Sequence, residues 1–113
     1  MTQHDDVIRL RHMLDHAREA LKMAEGKNRK ALEEDRMLEL ALVRLIEIVG
    51  EAAGKVSAEG KAKFVDVPWP QIIAMRNRLI HGYDAVDLDV LWDTIENDLP
   101  DLIAKLEREL RKI

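Results

Sequence analysis

The sequence predicts an all-α protein, arranged as an antiparallel four-helix bundle, and three observations support that prediction. Aromatic residues make up only 4% of the 113 residues and there are only five glycines, whereas residue types that favour helix over sheet are frequent. Apolar residues recur at intervals of three and four along four segments, which is the spacing of amphipathic helices. The connections between the segments are short, so we expect antiparallel neighbours within a single domain over residues 1–113.

The first two segments each carry one apolar stripe. In the first, the stripe is formed by Val7, Leu10, Leu14, Ala17, Leu21 and Ala24. Gly26 is expected to end this helix, because glycine readily adopts the left-handed conformation found after a helix C-terminus. In the second, the stripe is formed by Leu38, Leu42, Leu45, Ile46, Val49 and Ala53. Further apolar residues widen the second stripe, so we expect the second helix to be the most buried.

The third helix is expected to begin at Pro70 and to run to Gly82. Proline is well placed as a first helical residue, because its missing N–H would have no partner there. The chain before it, from about residue 55 to residue 67, is rich in Lys, Gly and Ala. We expect that segment to be a loop or a broken helix.

The fourth helix carries the cleanest stripe. Its members are Leu88, Leu91, Trp92, Ile95, Leu99, Leu102, Ile103, Leu106 and Leu110. Asp87 precedes the stripe and is expected to cap the helix. Pro100 interrupts it, because proline has no N–H to donate to the carbonyl of Glu96. The stripe continues in register past the proline, so we expect one helix, kinked at Pro100.

Composition and charge exclude several classes of protein. There is no cysteine, which rules out disulfides and thiolate metal sites. No apolar run approaches the roughly 20 residues that span a bilayer, and residues 1–6 lack the apolar core of a signal peptide. We therefore expect a cytoplasmic protein with no membrane contact. A net charge of −4 argues against tight, nonspecific binding to nucleic acid, so any RNA contact must come from a local basic patch.

Reactive side chains concentrate at the end of the third helix, at Arg76, Asn77, Arg78, His81 and Tyr83. Arginine binds phosphate through planar donors that are always charged, and histidine transfers protons near neutral pH. Such a set suits RNA cleavage, in which the 2′-hydroxyl attacks its own phosphate and cationic donors stabilise the transition state without a metal.

The same residues carry a resemblance to a known family. Arg76-Asn77, followed after three residues by His81 and then by Tyr83, resembles the motif of HEPN-domain proteins, specifically the HepT toxins of MNT–HEPN toxin-antitoxin modules. Other segments agree in order along roughly residues 38–106. They are Val49-Gly50-Glu51-Ala52, Pro68-Trp69, Asp87-Leu88, Leu91-Trp92 and Leu99-Pro100.

The resemblance implies a metal-independent endoribonuclease with a composite active site at a homodimer interface. Arg76 and His81 would be its catalytic residues, with Asn77 and Arg78 in supporting roles. It also implies a partner, an MNT-type nucleotidyltransferase antitoxin that neutralises the toxin by transferring AMP to the tyrosine two residues after the motif histidine. That tyrosine is Tyr83.

Helix geometry leaves two ways to bring the motif residues together. In one continuous helix, Arg76 and His81 would lie about 7.5 Å apart along the axis and about 140° apart around it. Either the helix unwinds before His81, which Gly82 permits, or two copies of the motif converge across a dimer. The family resemblance implies the second.

Each residue also has a purely structural interpretation. Arg76 could pair with Glu47 or Glu51, His81 could cap a helix end, and Asn77 could bond the backbone. The whole protein could then be a helical adaptor. It could also be a non-catalytic nucleotide-binding or dimerisation partner of a nucleotidyltransferase.

Two groups of residues resemble partial metal sites. Glu47 and Glu51 lie four apart, but the chain has no Glu-x-x-His motif to complete a di-metal site. His12 and His16 share a helix face opposite the apolar stripe and are interpreted as surface residues. The acidic residues that follow His81 are explained by helix capping. We therefore predict no metal site and no cofactor.

Overall fold

Seven helices and one short pair of strands form the part of the protein that the computed structural model describes, which is residues 3–81 and 85–113. The elements in chain order are α1 (Gln3–Ala24), α2 (Arg29–Glu34), α3 (Arg36–Gly54), α4 (Ala58–Lys63), α5 (Trp69–Leu79), β1 (Ile80–His81), β2 (Ala85–Val86), α6 (Leu88–Asp93), a π-helical turn (Thr94–Asp98) and α7 (Leu99–Arg111). The predicted all-α class is confirmed. The four predicted segments correspond to α1, α3, α5 and the run from α6 to α7.

Local sequence signals mark the end of α1 and the start of α3, and the short helix α2 lies between these two helices. Helix α1 ends at Ala24, and Gly26 has a φ of 75°, which confirms its role after the helix. Asn28 accepts a hydrogen bond from the backbone of Ala31 and so caps α2. Asp35 caps α3 in the same way. Helix α2 was not predicted, because most of its six residues are charged and they form no apolar stripe.

Helix α3 lies at the centre of the packing. It contacts α1 on one side and α5 on another, and α7 packs against α1. The predicted stripe is buried at Leu42, Leu45, Ile46, Val49 and Ala53. Helix α3 has nine buried residues, more than any other helix within the described ranges, so the prediction that it is the most buried helix is confirmed. On α7, the predicted stripe of the fourth helix is buried at Leu99, Leu102 and Leu106.

The segment before α5 is a broken helix, one of the two predicted alternatives. Its helical part, α4, is capped by Ser57, whose hydroxyl accepts from the backbone N–H of Gly60. Ser57 is itself held by Asp6 of α1, which is only 2% exposed and accepts from the Ser57 backbone at 2.9 Å and its hydroxyl at 2.6 Å. These two hydrogen bonds connect the start of α1 to the segment that leads into α5.

The last helical run is continuous, and its irregularity lies before Pro100. Asp87 accepts from the backbone of Asp89 and Val90, which confirms the predicted cap. In the π-helical turn, the N–H of Leu99 donates to the carbonyl of Thr94, five residues back. Pro100, with no N–H of its own, is the second residue of α7. The predicted interruption is therefore a widened turn at Thr94–Asp98.

No helix within the described ranges has the length and apolar character needed to cross a membrane.

Candidate active site

Helix α5 ends earlier than predicted. Its last residue is Leu79, and the next two residues form β1, in which Ile80 pairs with Val86 and His81 with Ala85. The N–H of Asp87 donates to the carbonyl of Leu79 at 3.1 Å. The prediction that the helix runs to Gly82 is therefore wrong, because backbone bonds from the returning strand replace those of another helical turn.

Because α5 ends at Leu79, Arg76 and His81 do not lie on one continuous helix. Arg76 lies in the last turn of α5, whereas His81 lies in β1, so the angle of a continuous helix no longer separates them. The first of the two alternatives, a helix that ends before His81, is the one observed. Only the backbone of His81 is described, and Tyr83 lies outside the described residues.

Arg76 of α5 packs against α3 at Gly50. A Cβ built on Gly50 would lie 2.6 Å from the Cδ of Arg76 and 3.1 Å from its Cβ. Gly50 is buried and Arg76 is half-buried. The absence of a side chain at Gly50 is thus what lets the stem of Arg76 lie against α3.

The guanidinium of Arg76 has no ion pair or hydrogen bond to any of the residues described here. The alternative that it pairs with Glu47 or Glu51 is therefore wrong. Glu51 pairs instead with Arg44 of its own helix, at 3.2 Å. A half-buried cation without a carboxylate partner is available to bind an anion.

Asn77 and Arg78 are both exposed. Arg78 lies about 200° around the helix from Arg76, so the two arginines project from opposite sides of α5. Arg78 lines a groove between α5 and the last helical run, together with Asn97 and Asp98. The sequence did not indicate this groove; its only trace was Pro100, which breaks the regular helix beside it.

The candidate metal ligands do not form a site of three or more ligands within the described residues. No group of three His, Asp or Glu side chains in residues 3–81 and 85–113 could hold a metal ion. His16 donates through Nδ1 to the carbonyl of His12 at 2.6 Å, and the two rings meet edge to face. Asp89 pairs with Arg29.

Comparison with known proteins places this arrangement in a family. The model of the family described as "Ribonuclease HepT-like" matches residues 13–109, a range that includes Gly50, Arg76 and His81. The chain belongs to the HepT-like ribonuclease family. No solved structure matches it.

Relatives from three organisms match most of this chain. A protein of Thermococcus cleftensis, named as a probable ribonuclease HepT, is 36% identical over 103 residues, covering 88% of this chain and 93% of the relative. A protein of Caldanaerobacter subterraneus, named as a candidate RNase, is 33% identical over 103 residues, covering 91% of this chain and 92% of the relative. Another candidate RNase, from Methanocaldococcus jannaschii, is 28% identical over 107 residues, with 95% and 98% covered.

Proposed function

We propose that this protein is the toxin of a toxin-antitoxin module, a cytoplasmic endoribonuclease that cleaves RNA without a metal ion in a cleft shared by two protomers. The observation that carries the proposal is the guanidinium of Arg76, which is held over Gly50 without an ion pair to any described residue and is followed five residues later by His81. Membership of the HepT-like ribonuclease family supports it.

The proposed reaction uses the 2′-hydroxyl of the RNA as nucleophile. As this oxygen attacks the adjacent phosphorus, its proton passes to one histidine, the P–O5′ bond breaks, and the departing 5′-oxygen takes a proton from a second, protonated histidine. The products are a 2′,3′-cyclic phosphate and a free 5′-hydroxyl. Arg76 would bind the phosphate oxygens and stabilise their charge in the transition state, and Asn77 would orient His81.

The need for both a base and an acid argues for a dimer. Each protomer has only one His81, whereas proton removal and proton donation occur on opposite sides of the phosphorus. A two-fold axis near the motif would place His81 and the partner's His81 in one cleft. It would also bring together two copies of each motif arginine, giving the local positive charge that a chain of net charge −4 lacks.

The outer face of α5 fits such an interface. Pro70, Ile73, Ala74 and Asn77 recur along it at helical spacing, and all are exposed and uncharged. Ile73 is the large apolar residue of this face, and its side chain is 40% exposed. An uncharged face of this kind is unusual in a chain with 35% charged residues, and depletion of charge is typical of the centre of a protein interface.

Regulation would act at Tyr83, as the AMP acceptor for a cognate MNT-type nucleotidyltransferase. An AMP group added two residues after His81 would bring a phosphate and a bulky nucleoside beside the motif arginines. By charge and by size it would exclude RNA from the cleft, as other anionic modifications act on nearby cationic sites.

A cleavage assay in excess chelator tests the nuclease. Wild type should cleave RNA, while Arg76→Ala and His81→Ala should lose at least about a hundredfold in rate. Arg108→Ala, an exposed arginine on α7, is the matched control and should cleave normally. Absence of cleavage by wild type would favour the alternative, a non-catalytic nucleotide-binding partner of the transferase.

A further inference from the structure

A groove runs beside the candidate active site, between α5 and the junction of the π-helical turn with α7. Its volume is about 320 Å³. Its apolar lining includes Ile72, Met75 and Leu102, all buried core residues. Its polar lining includes Arg78 on one side and Asn97 and Asp98 on the other. A flat apolar group with a polar edge would fit such a site.

Asp98 is a carboxylate of this groove that has no partner among the described residues. Asp101 pairs with Lys105 at 2.9 Å, and Asn97 donates to Asp93 at 2.7 Å. Asp98 is partly buried, yet it has no hydrogen bond or ion pair within the ranges 3–81 and 85–113. The π-helical turn ends at this residue, and such turns often occur at functional sites.

Arg78 influences Asp98 electrostatically without closing a salt bridge to it. Burial raises the pKa of Asp98, as do the charges of Asp93 and Asp101, and Arg78 opposes that rise. The nitrogen atoms of Arg78 and the carboxylate of Asp98 are more than 4.0 Å apart, since no ion pair joins these two described side chains. A donor and an acceptor therefore face each other across an open groove.

The charge of the groove selects against phosphate and favours a base. The carboxylate of Asp98 balances the guanidinium of Arg78, and Asp101 is already paired with Lys105, so the groove offers a phosphate no net positive charge. The N–H groups of a base edge would instead be attracted. Arg78 and Arg76 project from opposite sides of α5, so the groove would take a different nucleotide of the RNA strand from the one whose phosphate Arg76 binds.

We propose that this groove binds an unstacked guanine of a single-stranded RNA, with Asp98 and Arg78 as the residues that determine base specificity. Guanine presents two adjacent donors, N1–H and the N2 amino group, which suit one carboxylate, and an acceptor at O6, which suits a guanidinium. Adenine and cytosine have an unprotonated ring nitrogen at the corresponding position. Uracil has a single N–H between two carbonyls. The proposal rests on the proposed function only in taking RNA as the ligand.

Binding of short oligoribonucleotides tests the groove independently of cleavage. The probes are labelled pentamers of uridine with one central guanosine, inosine, adenosine or uridine, and the protein is the His81→Ala variant, which keeps Asp98. The guanosine probe should bind about tenfold more tightly than the adenosine or uridine probe. Inosine, which lacks the N2 amino group, should fall between them.

Asp98→Asn, added to the same background, should abolish the preference for guanosine over inosine. Asp15→Asn, an exposed aspartate on α1, should leave the preference intact. Equal affinity for all four probes, or no binding to any of them, would overturn the proposal. If wild-type protein cleaves RNA but the four probes bind alike, the proposed nuclease activity is supported and the proposed guanine site is contradicted. If the guanosine probe is preferred but wild-type protein cleaves no RNA, the proposed guanine site is supported and the proposed nuclease activity is contradicted.

Discussion

Arg76 lies against Gly50 so closely that a methyl group on the glycine would meet the arginine Cδ at 2.6 Å and its Cβ at 3.1 Å. The Cβ is fixed by the backbone of α5, so rotation of the arginine side chain alone cannot relieve both contacts. Gly50 therefore sets the distance between α3 and α5 and, with it, the position of the guanidinium.

Gly50→Ala is expected to reduce RNA cleavage more than it reduces stability. The displaced guanidinium should lower the cleavage rate by about tenfold to a hundredfold, because small misplacements of a catalytic group are costly. Overpacking costs about 1 to 3 kcal/mol, offset by about 1 kcal/mol from the better helix propensity of alanine. Single-turnover cleavage and denaturant unfolding of the same sample measure the two effects.

Gly54→Ala is the matched control in the same helix. No atom lies within 4 Å of a Cβ built there, so this substitution should leave cleavage unchanged and stabilise the protein by up to about 1 kcal/mol. Equal cleavage by Gly50→Ala and Gly54→Ala would show that the Gly50 contact does not position Arg76 for catalysis.

The sequence predicted elements that depend on local pattern and missed those that depend on contacts across the fold. Asp87 and Gly26 act where they were predicted, since capping depends on a few neighbouring residues. The early end of α5 depends on bonds from Ala85 and Val86, which no local pattern reveals. The motif residues were found from sequence, but the contact of Arg76 with Gly50 depends on two helices meeting.

Stability should fall in acid because of Asp6. Burial alone would raise the pKa of Asp6, but hydrogen bonds from the Ser57 hydroxyl and backbone, with the charge of Arg9, bring it below the usual value. A lowered pKa in the folded state stabilises the protein above the unfolded-state pKa of about 3.9, and this contribution is lost as pH falls through the folded-state pKa.

Asp6→Asn should therefore destabilise the protein at neutral pH by about 1 to 3 kcal/mol. The difference from wild type should shrink as pH is lowered below about 4. Thermal unfolding of both proteins over this range measures it, with Asp15→Asn as control. A difference that is independent of pH would mean that the carboxylate charge of Asp6 contributes nothing.

Asp98 should behave in the opposite way. Its pKa is raised, first by burial and then by Asp93 and Asp101, so its ionised form costs stability at neutral pH and the cost disappears as pH falls. Asp98→Asn should therefore raise the melting temperature at neutral pH and lose this advantage in acid. A lower melting temperature at neutral pH would contradict an unfavourable carboxylate at this position.

Tyr83→Phe should separate toxicity from its control. The change removes only the acceptor oxygen, so fold and RNA cleavage should persist while adenylylation by the cognate transferase is abolished. Co-expression with the transferase, followed by intact-mass and growth measurements, tests this. If wild type gains no AMP mass, or if the phenylalanine variant is neutralised equally well, inhibition must come from complex formation alone.

The proposed shared active site is tested most directly by mixing wild type with His81→Ala and allowing the protomers to exchange. If each cleft needs His81 and the partner's His81, only wild-type homodimers are active, and total cleavage should follow the square of the wild-type fraction. Arg108→Ala mixed with wild type should show no loss. Cleavage that falls in direct proportion to the wild-type fraction would show that each protomer acts alone and would contradict the composite site.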